Sequence, residues 1–362
     1  MKLQDNPAPG LDGVIAADTS LSHVDGMRGE LVIAGAPIEQ LAFTSSFEDL
    51  AARLWSLADG QSRDPELITR QFGEARQRSF RRLPQLVASG RELPLIAATR
   101  AALAALGSEP DLPPEIMLSA AMPVIISALL HAQDNRPPIP PDPARSHAED
   151  LLHMLHGRAV SPAQIRALQA YLVTVSDHGM NASTFTARVI ASTGADLFMA
   201  TTGAYCALTG PLHGGAPEPV LAMLNAIGTA DQIAPWIEDA LARGERLMGF
   251  GHRVYRVRDP RADVLKRALQ GLGGANLGFA AQVEAYARVA LAKRHPQRAL
   301  DTNVEFYTAI LLDALQIPRQ AFTPVFACAR IIGWTAHALE QQRLGRLLRP
   351  ASRYIGARAG GR

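Results

Sequence analysis

Residues 249–261 carry the densest group of side chains in this chain that could do chemistry. The segment sets His252 in a glycine turn and follows it with four arginines, which are Arg253, Arg256, Arg258 and Arg261. Glycine lets a backbone approach a ligand closely, and histidine can polarise or protonate an oxygen near neutral pH. Arginine binds carboxylates and phosphates through paired hydrogen bonds. The segment therefore indicates carbonyl chemistry on a substrate with several negative charges.

Two further segments favour a catalytic site over the alternative that the basic turn is only a solvated surface. Residues 209–216 place His213 among glycines, and residues 301–308 place Glu305 ahead of an apolar, helix-like run. Two histidines and one carboxylate are suited to removing a proton next to a carbonyl group. The sequence therefore predicts an enzyme.

The composition is typical of a globular enzyme. The chain has 362 residues, of which 48% are hydrophobic and 19% are charged, which is enough for a large core and too apolar for disorder. Its net charge of +2 gives no overall field that would attract nucleic acid. Any anion site must therefore come from local groups of arginines.

Cysteine usage and apolar segments predict a soluble, cytoplasmic protein that binds neither membranes nor nucleic acid. Cys206 and Cys328 are the only cysteines, and both lie in apolar runs, which predicts two buried thiols. No Cys/His spacing is typical of a zinc site, so we expect no metal. The N-terminus has no basic-then-apolar signal, and we expect no stretch of about 20 apolar residues that could span a bilayer.

Most segments have the periodicity of helices, so the sequence predicts an all-α fold. Residues 45–58 begin with a capping box formed by Ser45 and Glu48, followed by leucines on one face. Ser161, followed by a proline, is a second helix start, and an apolar stripe continues from it towards His178.

The remaining segments are predicted to be short strands and loops. Strands are expected only near the N-terminus, at residues 14–17 and 30–34. The proline-rich residues 136–143 cannot be helical throughout and are predicted to form a loop between long helices. Residues 271–274 are rich in glycine but lack a preceding strand, so a nucleotide-binding turn is not favoured.

The motifs and their order resemble those of the citrate synthase family, in its short bacterial and archaeal form. The matching stretches are residues 10–41, 178–184, 209–216, 249–261, 301–308, 322–330 and 333–340. They extend over nearly the whole chain. The resemblance implies condensation of acetyl-CoA, as co-substrate, with oxaloacetate and hydrolysis of the citryl thioester, with no cofactor.

The resemblance also implies roles for individual residues. Glu305 would remove a methyl proton from acetyl-CoA, His213 would donate a hydrogen bond to the enolate oxygen, and His252 would protonate the oxaloacetate ketone. A helix that begins after His213 would keep that imidazole neutral. The implied oxaloacetate ligands are His178, Arg261, Arg330 and Arg349, and the implied CoA contacts are Gly249, Gly251, Arg253 and Arg353.

Three positions depart from the family pattern. Glu305 stands where the family commonly has aspartate, so its carboxylate is one methylene farther from the backbone. Ala351 replaces a second arginine after the proline, and Pro217 replaces an asparagine. Because the placement of a base matters at the ångström level, the first departure bears directly on the rate.

The family architecture implies a large helical domain, formed by residues 1–212 and 312–362, with a smaller helical domain of residues 213–311 inserted in it. The active site would lie in the cleft between the domains. The resemblance further implies a homodimer in which Arg349 reaches the site of the other subunit. Apolar helices at residues 116–131 and 195–208 are candidate interface faces, because obligate interfaces are large and hydrophobic.

Two alternatives remain open at this point. A 2-methylcitrate synthase would use propionyl-CoA with the same motifs, and the discrimination rests on one methylene, worth about 1–3 kcal/mol. A non-catalytic paralogue that binds CoA or a partner would retain the fold without the turnover.

Overall fold

Helices make up most of the structure, a computed structural model that describes residues 11–356 except 12, 89, 91, 214–216 and 274–275. The predicted all-α class is therefore confirmed. The α-helices of the described residues are α1 (Ile38–Thr44), α2 (Phe47–Asp59), α3 (Pro65–Arg81), α4 (Leu83–Leu86), α5 (Leu95–Ala105), α6 (Pro114–Gln133), α7 (His147–His156), α8 (Pro162–Val175), α9 (Ala182–Ala191), α10 (Leu197–Leu208), α11 (Pro217–Ile227), α12 (Ile233–Ala242), α13 (Pro260–Gln270), α14 (Asn276–Arg294), α15 (Val304–Ala314) and α16 (Phe322–Leu344).

A small antiparallel sheet lies near the N-terminus, with strands β1 (Ser22–Asp25), β2 (Glu30–Ile33) and β3 (Ala36–Pro37) in that order. Strand β2 confirms the strand predicted at residues 30–34. The strand predicted at 14–17 is wrong, because that stretch is irregular. Its apolar side chains Val14 and Ile15 are exposed. A strand needs a buried face and a paired neighbour to be stable, and this stretch has neither.

Helix α2 begins one residue later than the sequence predicted. The Ser46 hydroxyl accepts the N–H of Asp49, and the Asp49 carboxylate accepts the N–H of Ser46. The capping box is therefore Ser46 with Asp49, and the prediction of Ser45 with Glu48 was wrong. Glu48 is buried instead and accepts the backbone N–H of His147 at 2.7 Å. A side chain turned into the core cannot also cap the helix.

The predicted start of α8 and the predicted proline loop are both confirmed. Ser161 forms a capping box with Gln164, and the helix begins at the following proline. Leu168 and Tyr171 on its apolar stripe are fully buried. Residues 136–143 lie outside helices and strands, between α6 and α7.

Helix α6 is long and apolar enough to cross a membrane by length and composition, so the expectation that no such stretch exists was wrong. Of its apolar window, 94% is buried inside the protein. It packs against α3, α5, α7 and α16, which is the environment of a core helix. Because these neighbours cover it, residues 116–131 do not offer the open interface face that the sequence suggested.

The two cysteines differ in their surroundings. Cys328 is fully buried on α16, as predicted, and burial raises the pKa of its thiol. Cys206 is exposed on α10, so the prediction of two buried thiols was wrong for this residue. Met199 of the same helix is also exposed. An apolar run does not fix which face of a helix meets solvent, and α10 turns part of its run outwards.

Helix α16 lies in the core and carries polar side chains along one buried stripe, namely Arg330, Trp334, His337 and Glu340. Gly333 lets this helix pack closely, because an added Cβ there would lie 2.3 Å from the Ser176 carbonyl oxygen. The largest core cluster contains residues from all three predicted segments, 1–212, 213–311 and 312–362. The division into two domains stays a prediction.

Candidate active site

A backbone bridge joins the glycine turn at 249–251 to the segment that precedes α15. The N–H of Gly251 donates to the Asp301 carbonyl at 2.8 Å, and the N–H of Asn303 donates to the Gly249 carbonyl at 2.9 Å. The Asn303 side-chain amide donates to the Gly251 carbonyl at 2.8 Å. The bridge therefore places His252, which follows the turn, and Glu305, which follows Asn303, in one cleft.

Both glycines of this turn are required by the backbone. Gly249 has φ +85° and Gly251 has φ +84°, a region that favours glycine. A Cβ on Gly249 would also lie 2.8 Å from the Phe306 Cβ, and one on Gly251 would lie 3.0 Å from a Leu300 methyl group. Both glycines, which the sequence predicted to contact CoA, line the cleft, and each packs closely against a neighbouring side chain.

His252 is held in one tautomer by the backbone that follows it. Its Nδ1 accepts the N–H groups of Val254 at 3.0 Å and Tyr255 at 3.1 Å, so the ring proton lies on Nε2. The Nε2 atom also lies 3.4 Å from an Arg261 nitrogen, a longer contact that a protonated Nε2 cannot accept as a hydrogen bond, so the two shorter backbone bonds to Nδ1 decide the tautomer. Burial, followed by the positive charge of Arg261, lowers the pKa of His252 to about 4. The ring is therefore a neutral N–H donor at neutral pH.

His213 is held neutral by burial and by neighbouring positive charge. Its Nε2 lies 2.9 Å from the Ser183 hydroxyl and accepts the Ser183 N–H at 3.3 Å, at the N-terminus of α9. Burial, and then the charges of Arg330 and Arg253, lower its pKa to about 4. The helix expected after His213 would start at residues 214–216, which lie outside the described residues, so its effect on His213 stays a prediction.

Glu305 lies in the first turn of α15, where the Asn303 side chain caps its N–H at 3.0 Å. Its side chain is half-buried and lines the cleft. Burial raises the pKa of Glu305 to about 7, against the opposing effect of the Arg261 charge. A carboxyl group with a pKa near the working pH is suited to act as a general base.

His178 follows α8 and lies beside His252, with the two rings edge to face and their centroids 5.5 Å apart. Its Nε2 lies 3.1 Å from the Tyr255 hydroxyl. Burial, and then the charge of Arg261, hold the pKa of His178 well below its ordinary value. The structure thus brings the predicted histidine ligand to the rim of the same cleft.

The two arginines of the cleft floor are buried and differ in their partners. Arg261 forms a two-point ion pair with Asp259, at 2.8 Å and 3.0 Å. Arg330 donates to the Val175 carbonyl at 2.6 Å and lies over the Phe326 ring, 4.8 Å from its centroid. Within the described residues Arg330 has no carboxylate partner, and burial lowers its pKa to about 10. The charge of Asp177 acts on Arg330 without forming an ion pair with it among the described residues, so the guanidinium can still accept an anionic ligand.

The cleft has a volume of about 1260 Å³ and is lined by arginines. Arg253, a predicted CoA contact, is among them. Arg256 of the segment 249–261 also lines it, and the sequence reasoning missed three others, which are Arg246, Arg294 and Arg298. The only carboxylates among its described lining residues are Glu245 and Glu305. The run of basic residues at 293–298 was visible in the sequence, but its distance along the chain from 249–261 hid their proximity.

The predicted arginines of the C-terminal segment do not join this cleft. Arg349 and Arg353 are exposed and lie outside its described lining. Their predicted roles, one across a dimer interface and one at CoA, therefore stay predictions.

Taken together, a neutral histidine pair, a carboxyl group with a raised pKa and an arginine-lined cleft define an enzyme that does acid–base chemistry on anionic substrates. A family model described as "Citrate synthase, C-terminal domain" matches residues 10–351. The chain belongs to the citrate synthase family.

Individual relatives agree with this assignment over nearly the full length. A citrate synthase of Deinococcus radiodurans is 36% identical over 370 residues, which cover 98% of this chain and 97% of the relative. The crystal structure of citrate synthase from Thermotoga maritima has a TM-score of 0.83 and 33% identity, covering 98% of this chain and 97% of that one. A citrate synthase from Thermoplasma acidophilum, in a ternary complex with carboxymethyl coenzyme A and oxaloacetate, has a TM-score of 0.84 and 28% identity, with the same coverage.

Proposed function

We propose that this chain is a citrate synthase that condenses acetyl-CoA with oxaloacetate and then hydrolyses the citryl thioester to citrate and CoA. The observation that carries the proposal is Glu305, whose pKa burial raises to about 7 and which lines the same cleft as two neutral histidines, His213 and His252. The hard step is the removal of a proton from a methyl group that is a very weak acid. That step needs a base and an oxyanion donor together.

In the first step, Glu305 takes a proton from the methyl group of acetyl-CoA. The His213 ring accepts from Ser183 at Nε2, so its own proton lies on Nδ1. That N–H stabilises the developing enolate oxygen. A neutral imidazole is a suitable donor, because its proton is not lost to the enolate as readily as that of an imidazolium.

Oxaloacetate binds at the floor of the cleft through its two carboxylates. Arg330 offers a guanidinium that forms no ion pair within the described residues, Arg261 offers the part of its guanidinium that Asp259 does not occupy, and His178 adds a further contact. The Nε2–H of His252 lies next to Arg261 and polarises the ketone, then protonates it as the new carbon–carbon bond forms. No metal or cofactor is required by these steps.

CoA binds along the basic wall of the cleft, in our proposal. Gly249 and Gly251 allow close approach, and Arg253 supplies positive charge. Arg246, Arg294 and Arg298 extend that wall and suit the phosphates of CoA. Support comes from the Thermoplasma relative, whose structure holds a CoA derivative together with oxaloacetate. We propose that Arg353 also contacts CoA.

The protein is, in our proposal, a cytoplasmic homodimer of the tricarboxylic acid cycle, with Arg349 completing the oxaloacetate site of the other subunit. Arg349 is exposed and does not line the cleft of its own chain, which is compatible with a role in another copy.

Steady-state rates with acetyl-CoA and with propionyl-CoA, each with oxaloacetate, test the proposal. A citrate synthase has the higher kcat/KM with acetyl-CoA, by about 10- to 200-fold if one methylene decides the preference. A higher value with propionyl-CoA would indicate a 2-methylcitrate synthase. No oxaloacetate-dependent CoA release with either thioester would indicate a non-catalytic paralogue.

A further inference from the structure

Tyr255 contacts both histidines of the proposed oxaloacetate site from behind. It is 1% exposed and is absent from the described lining of the cleft. Its ring centroid lies 4.8 Å from that of His252 and 5.5 Å from that of His178. The Arg261 guanidinium carbon lies 5.9 Å from the Tyr255 ring centroid. One side chain is thus packed against three groups that face the ligand.

The backbone of Tyr255 acts on His252. Its N–H at 3.1 Å, together with the Val254 N–H at 3.0 Å, donates to His252 Nδ1, which leaves the ring proton on Nε2. A neutral imidazole can carry its proton on either nitrogen, and the hydrogen bond made by one nitrogen selects the state of the other.

The hydroxyl of Tyr255 acts on His178. It lies 3.1 Å from His178 Nε2 and has no other hydrogen-bond partner within the described residues. Burial raises the pKa of Tyr255, so the hydroxyl stays protonated. If His178 donated to the hydroxyl oxygen, the phenolic proton would be buried without an acceptor, which is costly. The hydroxyl therefore donates, and the His178 proton lies on Nδ1.

We propose that Tyr255 is a positioning residue that fixes the tautomers of both histidines, one through its backbone N–H and the other through its hydroxyl. As a result the rings present an N–H at His252 Nε2 and an N–H at His178 Nδ1. This inference rests on the proposed function only in naming the acceptor of those two N–H groups, which is the oxygen-rich oxaloacetate. The tautomers themselves are a property of the free protein.

Tyr255→Phe removes the hydroxyl and keeps the ring. Loss of one buried donor should raise the KM for oxaloacetate about tenfold, equivalent to about 1.4 kcal/mol. The value of kcat should fall less, and the KM for acetyl-CoA should stay within about twofold. The matched control is Tyr205→Phe, which removes a buried hydroxyl that donates to the Ile96 carbonyl at 3.1 Å, away from the cleft. That control should leave both KM values unchanged.

Nitrogen NMR of ¹⁵N-histidine-labelled protein reads the tautomers directly, with the His178 signals identified by their loss in a His178→Gln protein. We expect the Nδ1–H form of His178 in the native protein and a change towards the Nε2–H form in Tyr255→Phe. Observation of the Nε2–H form in the native protein, or of identical His178 signals and identical oxaloacetate KM in the variant, would overturn the proposal. If the native protein makes no citrate, the proposed function is wrong. The NMR measurement of the His178 tautomer still tests the role of Tyr255 in that case.

Discussion

At the scale of single residues, the reactivity of Glu305 is set by a balance of opposing effects. The first turn of α15 and the charge of Arg261 both favour its ionised form. Burial favours the neutral form and outweighs them, which raises the pKa to about 7. The carboxylate thus becomes basic enough to remove a proton, yet it still ionises near neutral pH.

The first prediction concerns the pH dependence of catalysis. His213 and His252 have pKa values lowered to about 4, so they stay neutral over the working range and Glu305 alone titrates near pH 7. Below about pH 7 the value of kcat/KM for acetyl-CoA should fall about tenfold per pH unit, and above it the profile should be level. Initial rates at saturating oxaloacetate, from about pH 5 to about pH 9, measure this. A profile that decreases as pH rises through 7 would exclude a carboxylate base.

The second prediction concerns stability. The pKa of Glu305 is about 7 in the folded protein and near its ordinary value of 4.5 in the unfolded chain, so the folded state binds more protons between these pH values. Stability therefore falls as pH rises through this window. Glu305→Gln removes that penalty and should be more stable than the native protein by about 3 kcal/mol at about pH 8, with little difference at about pH 4.5. Urea unfolding at both pH values measures this, and a pH-independent difference would contradict it.

The identities of the proposed catalytic residues were predictable from their motifs, whereas the causes of their pKa shifts were not. His213, His252 and Glu305 were named from their motifs, and all three line one cleft. The neutrality of His213 follows from burial and from the charges of Arg330 and Arg253, which lie far from it in sequence. Tyr255 was missed because a buried tyrosine gives no sign in the sequence of what its hydroxyl meets.

At the scale of elements, helix α16 links three parts of the site through one buried stripe. Arg330 donates to the last carbonyl of α8, Trp334 donates to the Ser183 hydroxyl at 3.1 Å, and His337 lies 3.3 Å from Asp177, the residue before the predicted ligand histidine. Ser183 in turn contacts the proposed oxyanion donor. One rigid helix thereby sets the relative positions of groups that are distant in sequence.

The β1–β2 hairpin supports the catalytic turn from the N-terminal side. The Gly26 carbonyl accepts the N–H of Arg256 at 2.8 Å, and a Cβ on Gly26 would lie 2.2 Å from the Val254 carbonyl oxygen. The hairpin therefore fits closely against the segment that orients His252. This contact explains why a glycine occupies the hairpin turn.

The third prediction tests this support. Gly26→Ala must displace residues 254–256, and we expect kcat/KM for oxaloacetate to fall by at least about tenfold, since small displacements of catalytic groups are costly. Gly107→Ala is the matched control, because nothing lies within 4 Å of a Cβ at that position and its φ is not positive. Equal kinetics for the two variants would show that the hairpin does not hold the turn.

Local rules predicted most helices, and tertiary contacts decided the exceptions. The start of α8 follows from Ser161 and its proline alone. In α2 the predicted cap failed because Glu48 is drawn into the core, where it binds the His147 backbone. The exposed stretch at 14–17 has a strand-like pattern but no strand beside it. Pairing and burial between distant segments are not encoded in local periodicity.

At the scale of the whole molecule, our proposal requires a second copy of the chain to complete the site. Arg349 is exposed in an irregular segment after α16 and lies outside the described lining of the cleft. The fold was predictable because the resemblance extends over nearly the whole chain, whereas the assembly is not determined by the contacts of a single chain. The domain boundaries at 212–213 and 311–312 also stay predictions, because the largest core cluster contains residues from both sides of each boundary.

The fourth prediction tests the assembly. Arg349→Ala should reduce kcat/KM for oxaloacetate by about 10²-fold, the scale of losing a hydrogen-bonded charge pair. In mixed dimers with a Glu305→Gln protein, one of the two sites would regain both native residues. Activity should then recover to a fraction of the native value. Verified heterodimers with no recovered activity would place Arg349 in the site of its own chain.

Exchange of the methyl protons of acetyl-CoA with solvent, compared between the native protein and Glu305→Gln, tests the central claim most directly. The substitution retains size and hydrogen bonding but removes basicity. We predict that oxaloacetate binding is nearly unchanged, while both solvent exchange and citrate formation fall by at least about 10²-fold, the usual effect of losing a general base. A Glu305→Gln protein that exchanges the methyl protons and forms citrate at the native rates would remove Glu305 from the mechanism.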